Sequence, residues 1–316
     1  MDNSRVLVKM IEPSHIKGGL RKYALLIGFI VLCIVFSFSH ENFLTWSNLL
    51  DIIRSNAISG LGAIGLTYVI LSGGVDLSIE GVIALSGIVA GSLSYDPLKA
   101  VAASLCIGLV VGLINGFIIT KSGVQPFIYT LGANRAIQGL VLILTRGISI
   151  YDIGPNYRIM GRGSISGIPI PIWIFIVLLG ITYLLLNHSK FGRYVYSVGS
   201  NEEASRLCGI KTNQIKMSVY LISGFLASLA GIVLTSRVGA AEATAATGWS
   251  LDALAAVIIG GTSLRGGQGG ILYTLLGIFL IGVLNNGMIL MNVPSHYYQF
   301  VKGVIIILAV LIDRKK

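Results

Sequence analysis

The chain has 316 residues, of which 54% are hydrophobic and 11% are charged, whereas about 25% of the residues in a soluble domain are charged. This composition excludes an ordinary cytosolic enzyme and a disordered protein, and it predicts a polytopic membrane protein. The net charge of +10 does not indicate nucleic-acid binding, because Lys and Arg cluster in the first 22 residues, in one central loop and in the last three residues. That distribution is typical of cytoplasmic flanks beside an anionic membrane surface.

In chain order, apolar runs of bilayer length predict about ten transmembrane segments. They are Tyr23–Ser39, Asn56–Ser72, Gly81–Tyr95, Ala100–Thr120, Pro126–Thr145, Ile168–Leu186, Met217–Ser236, Thr244–Gly261, Gly270–Met291 and Tyr297–Ile312. The third run is short, and the eighth is polar in its first half, so either is expected to be a broken or re-entrant helix. The predicted fold class is therefore all-α, with a single transmembrane domain over residues 1–316.

The basic residues predict the orientation of these segments. With residues 1–22 on the cytoplasmic side, most of the 23 Lys and Arg residues fall on that side, as the positive-inside rule requires. We therefore expect both termini in the cytoplasm and an even number of spans. Residues 187–216 form the one sizeable charged loop, also cytoplasmic, so we expect no catalytic unit outside the membrane.

The central loop predicts a short helix at Asn201–Cys208. Ser200 and Glu203 have the spacing of a capping box, in which each side chain bonds the backbone N–H of the other residue. Both glutamates of the loop lie in the first turn, where the helix dipole favours anions. Gly209 suits the left-handed residue that ends a helix. A solvated loop helix without further function explains the same pattern.

Two stretches of the chain resemble each other. Val69–Leu77 and Val257–Leu264 both end an apolar run, and both leave the membrane on the same side in the predicted topology. Internal repeats are common in transporters, but glycine-rich membrane sequences also produce such matches by chance. Both explanations stay open.

Nucleotide-binding and metal-binding motifs are absent from the sequence. It contains no P-loop motif and no Gly-Lys dipeptide, and its four histidines are far apart, so neither ATP hydrolysis through a P-loop nor a metal site is expected. Three cysteines cannot form a disulfide framework. We therefore expect no catalytic residue and no cofactor in this chain.

Several motifs follow one another over nearly the whole chain. They are Gly73–Ser78, Phe191–Glu203, Glu203-Ala204-Ser205-x-x-x-Gly209, Gly260–Leu264 with Gly266-Gly267, Gly282–Gly287 and Val301–Asp313. Together they resemble the ribose-type sugar permease family of bacterial ABC importers. Ser205 replaces an alanine of the family pattern, which exchanges one small residue for another.

The resemblance implies the ten-span type II importer fold. It also implies a second permease subunit (a homodimer is expected, a heterodimer stays open), two ABC-type ATPase subunits that bind ATP and Mg, and an extracytoplasmic sugar-binding protein. In such importers the loop between spans six and seven supplies the coupling helix to the ATPase. The coupling residues expected here are Arg193, Ser200, Asn201, Glu202, Glu203, Arg206 and Gly209.

Polar residues within membrane segments are costly and need a reason. Thr130, Asn134 and Gln138 are spaced i, i+4, i+8 and share one face of the fifth segment. Amides and hydroxyls can exchange hydrogen bonds with a neutral sugar. The predicted substrate pathway consists of Asn115, Thr130, Asn134, Gln138, Asn285 and Asn286. Interhelical hydrogen bonding is the alternative for each residue singly, whereas Asn134 and Gln138 together favour the pathway.

Three charged residues lie in or beside the segments. Asp76 is expected to cap a helix at Leu77–Ser86, and Asp252 to cap the half-helix Ala253–Ile259; proton coupling is the alternative for both aspartates. Lys302 is expected either to extend towards the headgroups or to pair internally, without a transport role.

The resemblance thus implies the permease subunit of an ATP-driven, binding-protein-dependent importer of a monosaccharide, ribose or a similar sugar first. The expected location is the bacterial cytoplasmic (inner) membrane. Within the same family, a nucleoside or a furanone-like signal molecule is the alternative substrate. An ion-coupled secondary transporter is the alternative of another class, although the sequence offers only isolated intramembrane acids rather than a pair.

Overall fold

The computed structural model describes residues 14–294, 297–298, 300–304 and 307. Its helices are α1 (Ser14–Ser39), α2 (Trp46–Leu71), α3 (Ile79–Ser92), α4 (Pro97–Ser122), α5 (Pro126–Thr145), α6 (Pro155–Arg162), α7 (Ile170–His188), α8 (Lys190–Ser200), α9 (Glu202–Leu207), α10 (Thr212–Val238), α11 (Trp249–Gly260) and α12 (Ile271–Leu290). Between α6 and α7, strands β1 (Ser164–Ile165) and β2 (Ile168–Pro169) form a short antiparallel hairpin.

Each of the first nine predicted segments contains one helix. Helices α2, α4, α5, α7, α10 and α12 are long and apolar enough to cross a membrane, so the chain is a multi-pass membrane protein. In the tenth segment, Tyr297–Ile312, residues 297–298, 300–304 and 307 are helical, and the others lie outside the described residues, as do residues 1–13 of the N-terminal flank. The total of ten spans therefore stays a prediction.

Helix α2 begins ahead of its predicted segment, at Trp46 rather than Asn56. Thr45 is its N-cap, and the Thr45 hydroxyl accepts the backbone N–H of Asn48. The first turns of α2 carry polar side chains such as Asp51, which lower the hydropathy without preventing a helix. A hydropathy window therefore detects only the apolar part of α2. Helix α1 likewise begins earlier than predicted, at Ser14.

The third and eighth segments form short helices, as expected for broken segments. Helix α3 has 14 residues and α11 has 12, whereas crossing the hydrocarbon core takes about 20. Their N-terminal turns meet, because Ser250 Oγ of α11 donates to Glu80 Oε2 of α3 at 2.9 Å. Glu80 and Asp252 each lie in the first turn of their helix. Two carboxylates thus lie near the positive ends of two helix dipoles.

The ends of α2 and α8 meet the loop that follows α11. The carbonyl of Leu71 accepts the backbone N–H of Gly267 at 2.9 Å. Gly199, in the last turn of α8, lies so close to Leu71 that a Cβ there would overlap its carbonyl oxygen. The stretches Val69–Leu77 and Val257–Leu264 therefore leave the bundle at the same end, and their origin as a repeat stays a prediction.

Helix α10 is the central helix, and it packs against α2, α3 and α4. Gly108 of α4 and Gly224 of α10 lie directly against each other, and a side chain on either would overlap the opposite backbone. Such contacts between small residues let membrane helices approach closely. They account for part of the glycine content. In the C-terminal part of α10, the Ile232 carbonyl accepts a hydrogen bond from the Tyr157 hydroxyl of α6 at 2.7 Å.

Candidate functional site

The central loop forms α8 and α9, which join at Asn201. Asn201 has an extended backbone with a φ of −159°, and its Oδ1 accepts the backbone N–H of Ala204 at 2.9 Å, so Asn201 is the N-cap of α9. The predicted capping box at Ser200 is therefore wrong. Ser200 belongs to the last turn of α8, and its hydroxyl donates to the carbonyl of Tyr196 at 2.9 Å. A residue inside a helix lacks the extended backbone of an N-cap. Helix α9 itself lies where the sequence predicts it.

Gly209 ends α9 in the predicted way. It has a φ of 82°, in the left-handed region. Its N–H donates to the carbonyl of Arg206 and the N–H of Ile210 to that of Ser205, both at 3.0 Å, which is the Schellman arrangement. Ser205 is buried, and its hydroxyl oxygen lies 2.8 Å from Ser197 Oγ of α8. Both ends of α9 are therefore fixed by specific hydrogen bonds.

The outer surface of this loop combines charged and apolar side chains. Arg193, Glu203 and Arg206 are exposed, and Leu207 is 83% exposed. Glu202 pairs with Lys216 of α10. This surface is open to a partner subunit, and the coupling role of its residues stays a prediction.

The polar face of α5 packs on the N-terminal turn of α3. Asn134 Oδ1 accepts the backbone N–H of Gly81 at 2.8 Å, and Thr130 Oγ1 accepts that of Leu77 at 3.1 Å. Both polar side chains are buried. Ser78, the N-cap of α3, makes no capping bond with its own side chain. Helix α5 therefore supplies the cap of α3 from outside.

Asp76 and Asn115 complete this contact. Asp76 Oδ1 accepts the N–H and the hydroxyl of Ser78 at 3.0 and 2.6 Å, and Oδ2 accepts the hydroxyl of Ser223 at 2.7 Å. Asn115 Nδ2 donates to Ser78 Oγ at 2.8 Å. Asp76 thus binds the start of α3, as predicted for a capping carboxylate, although it lies two residues before the N-cap. Its bond to α10 is a feature that the sequence does not reveal.

Gln138 belongs to a second polar network. Its Nε2 donates to Glu80 Oε1 at 2.6 Å, and its Oε1 accepts a hydrogen bond from Arg135 Nη1 at 3.1 Å. The other carboxylate oxygen of Glu80 accepts the Ser250 hydroxyl described above. A chain of hydrogen bonds therefore joins α5, α3 and α11.

A cavity of about 400 Å³, lined by both polar and apolar side chains, lies between α2, α10, α11 and α12, within the range of about 300–1,000 Å³ typical of small-molecule sites. Its strongly polar side chains are Asp51, Asn56, Arg237, Asp252, Asn285 and Asn286. Of the six predicted pathway residues, Asn285 and Asn286 line this cavity. The other four lie in the contacts of α3 with α4 and α5 described above, and the transport role of all six stays a prediction.

The amides of the cavity differ in their hydrogen bonding. Asn286 and Asn48 exchange two amide hydrogen bonds, at 2.8 and 3.0 Å. Asn56 Nδ2 and Asn285 Oδ1 are buried, and neither has a hydrogen-bond partner among the residues that the structure describes. Because buried polar groups are nearly always bonded, these two amides are the candidates for contact with a ligand or with solvent.

One ion pair lies beside the cavity. Lys302 Nζ lies 2.7 Å from Asp252 Oδ2, which is the internal pairing that the sequence left as one of two possibilities. Arg237 Nη1 donates to Ser55 Oγ at 2.9 Å, and its guanidinium lies near both Arg54 and Asp51. Asp252 and Arg237 therefore have bonds within the protein, and the amides of the cavity are the groups left to bind a polar ligand.

Sequence reasoning missed Asn56 and Arg237 as site residues. Asp51, Ser55 and Ser59 recur every four residues and share a helical face, and all three line the cavity. This periodicity could have identified the cavity-facing side of α2. A helix predicted to begin only at Asn56 leaves out Asp51 and Ser55, so the pattern is lost.

Residues 48–310 match the family described as branched-chain amino acid transport system / permease component. The chain is 44% identical to the ribose import permease protein of Bacillus subtilis (strain 168), over 96% of this chain and 95% of that protein. It is 41% identical to the ribose import permease protein of Escherichia coli (strain K12), over 95% of this chain and 96% of that protein. The chain belongs to this permease family. It is also 34% identical to the L-arabinose transport system permease protein of Escherichia coli (strain K12), over 93% of this chain and 91% of that protein. No solved structure matches the permease.

Two groups of the motifs that carry the family resemblance can be located in the described part of the permease. Gly73, Gly199 and Gly266 meet where α2 and α8 end, and a Cβ on Gly266 would lie within 3.0 Å of both other residues. The motif Gly282–Gly287 instead lies on α12, where its asparagines line the cavity. One group of motifs therefore joins the bundle to the central loop, and the other forms a wall of the candidate site.

Proposed function

We propose that the permease is the membrane subunit of an ATP-driven, binding-protein-dependent importer of a monosaccharide, with ribose as the first candidate. The observation that carries the proposal is the cavity lined by amide side chains inside a chain that resembles ribose import permeases over nearly its whole length. A neutral polyhydroxylated solute needs hydrogen-bonding groups rather than a net charge, and the cavity offers amides.

The proposed assembly contains a second permease subunit, expected to be a second copy of this chain, two ATPase subunits and an extracytoplasmic sugar-binding protein. ATP and Mg bind to the ATPases, and α9 with its exposed neighbours contacts them. Ten spans of the type II fold, with both termini on the cytoplasmic side of the bacterial inner membrane, complete the proposal. The distribution of basic residues supports this orientation.

Reconstitution tests the energy source. We expect liposomes containing the permease alone to show no concentrative uptake of radiolabelled D-ribose. Adding the ATPase, the loaded binding protein and internal ATP should produce uptake, because closure of the ATPase supplies the differential affinity that shifts the transporter between its states. A protonophore should leave this uptake unchanged. Concentrative uptake by the permease alone would contradict the proposal.

One contact favours an ion-coupled transporter as a second candidate. Ser250 joins Glu80 to the first turn of α11, which carries Asp252, so two acids that are far apart in sequence lie near each other. Both, however, have partners: Gln138 bonds Glu80 and Lys302 pairs with Asp252. Glu80→Gln should therefore retain ATP-driven uptake, whereas a proton carrier would lose coupling when its acid becomes an amide.

A further inference from the structure

The cavity holds two amides on facing helices, Asn56 on α2 and Asn285 on α12, that lack partners within the described residues. We propose that this pair is a hydroxyl-binding site for a neutral polyhydroxylated solute, a monosaccharide, within a single permease subunit. The proposal rests on the proposed function and adds the residues that bind the solute on its way through the membrane.

Asn56 is held in place by its surroundings. Its side chain is only 4% exposed, and it lies against Gly282, where any added Cβ would overlap the amide. Asn285 follows Gly282 by three residues and therefore shares its face of α12. The two amides thus line the same part of the cavity wall, and Asn56 cannot turn away to find a partner without repacking.

The chemistry of the pair matches a hydroxyl group. An amide offers a donor and an acceptor, and a hydroxyl can donate one hydrogen bond and accept two. One hydroxyl or two neighbouring hydroxyls can therefore accept from Asn56 Nδ2 and donate to Asn285 Oδ1. The match persists if both amides are turned over, since donor and acceptor then exchange places.

The rest of the cavity favours an uncharged ligand. Asp252 is paired with Lys302, and Arg237 donates to Ser55 and lies near both Arg54 and Asp51. A free amino acid carries a carboxylate and an ammonium group, each of which needs a charged partner when it leaves water. A sugar needs only hydrogen bonds, and the Trp249 side chain in the same wall provides apolar surface for its C–H face.

Asn48 offers a matched control. It has the same residue type and lies on the same helix as Asn56, but it is not among the residues that line the cavity, and it exchanges two hydrogen bonds with Asn286. Its removal should weaken the contact between α2 and α12 without removing an amide from the cavity wall.

Equilibrium binding tests the site directly. The full permease is assembled with its ATPase in lipid nanodiscs, without the binding protein, and its affinity for tritiated D-ribose is measured. We expect Asn56→Ala and Asn285→Ala each to weaken binding about two- to tenfold, the range for the loss of one net hydrogen bond. Asn48→Ala should lower the melting temperature of the complex and leave the affinity within about twofold. Excess L-leucine should not displace the sugar.

The outcomes separate the site from the transport function. If the complete importer takes up D-ribose but the wild-type permease binds none, or if all three variants bind equally, the two amides contact only water and the site proposal fails. If the complete importer takes up no sugar, the proposed function fails, and binding to the permease still decides the site. Should Asn56→Ala fail to assemble, Asn285→Ala, whose side chain is only partly buried, carries the test.

Discussion

Two polar regions lie among the apolar helices, and they use the same residue types in different ways. Between α3 and α5, Asn134 and Thr130 bond backbone N–H groups at 2.8 and 3.1 Å. In the cavity, Asn56 and Asn285 have buried amide atoms with no partner in the described part of the chain. An amide bonded to its neighbours holds helices together, whereas an unbonded one is available to a ligand, so residue type alone does not distinguish the two roles.

The difference follows from what each side chain faces. The first N–H groups of a helix lack partners within it, so the start of α3 offers donors, and the polar face of α5 supplies acceptors. Asn56 instead faces Gly282, which has no side chain to bond it.

The largest effect is expected from filling the cavity wall. Gly282→Leu should lower D-ribose uptake by about tenfold or more, because the new side chain overlaps Asn56, and overpacking of this kind costs roughly 1–3 kcal/mol. Gly132→Leu on α5 is the matched control, since an added Cβ there meets nothing within 4 Å. Uptake per assembled importer in liposomes measures both. Equal uptake by the two variants would show that the cavity is not used.

Changes in the contact between α3 and α5 should lower stability rather than uptake. Asn134→Leu leaves the buried N–H of Gly81 unpaired and should lower the free energy of unfolding by about 1–3 kcal/mol, while uptake per folded complex stays unchanged. Asn134→Asp keeps the acceptor beside a helix N-terminus and should retain most of the stability. Thermal unfolding and uptake are measured on the same preparation. A loss of uptake without a loss of stability would support the predicted pathway role of Asn134 instead.

Variants of the Lys302–Asp252 ion pair test whether a paired charge beside the cavity serves stability rather than transport. Lys302 and Asp252 are 26% and 19% exposed, so Lys302→Met should cost about 1–2 kcal/mol, below the 3–5 kcal/mol typical of a fully buried pair. Asp252→Asn should retain most of the uptake. The double variant should recover part of the stability, because no uncompensated charge remains. Additive losses in this double-mutant cycle would show that the two residues do not interact.

The smallest effect concerns α9, where the same distinction between bonded and unbonded groups applies. Asn201→Ala removes the N-cap bond and should destabilise the helix by about 1 kcal/mol, whereas Ser200→Ala should have little effect, because its hydroxyl bonds back into α8. Glu203→Lys, or Gly209 replaced by a β-branched residue, should uncouple ATP hydrolysis from transport. Sugar-stimulated ATPase activity and retention of the ATPase subunit on purification measure these effects. Normal coupling in Glu203→Lys would remove the argument for a coupling role.

Composition and local pattern were enough to predict the membrane class, the positions of nine apolar segments, the place of α9 and its termination at Gly209. These features depend on composition, on helical period and on the left-handed conformation that glycine adopts readily, all of which act over a few neighbouring residues. The choice of Asn201 over Ser200 as the cap of α9 is also local, because it depends on where α8 ends. The meeting of the short helices α3 and α11 at Glu80, and the pairing of each amide, are instead properties of the tertiary structure. The physical reason is that these hydrogen bonds join distant parts of the chain. Asn48 and Asn286 are separated by 238 positions, and no local pattern records whether such an amide has found its partner.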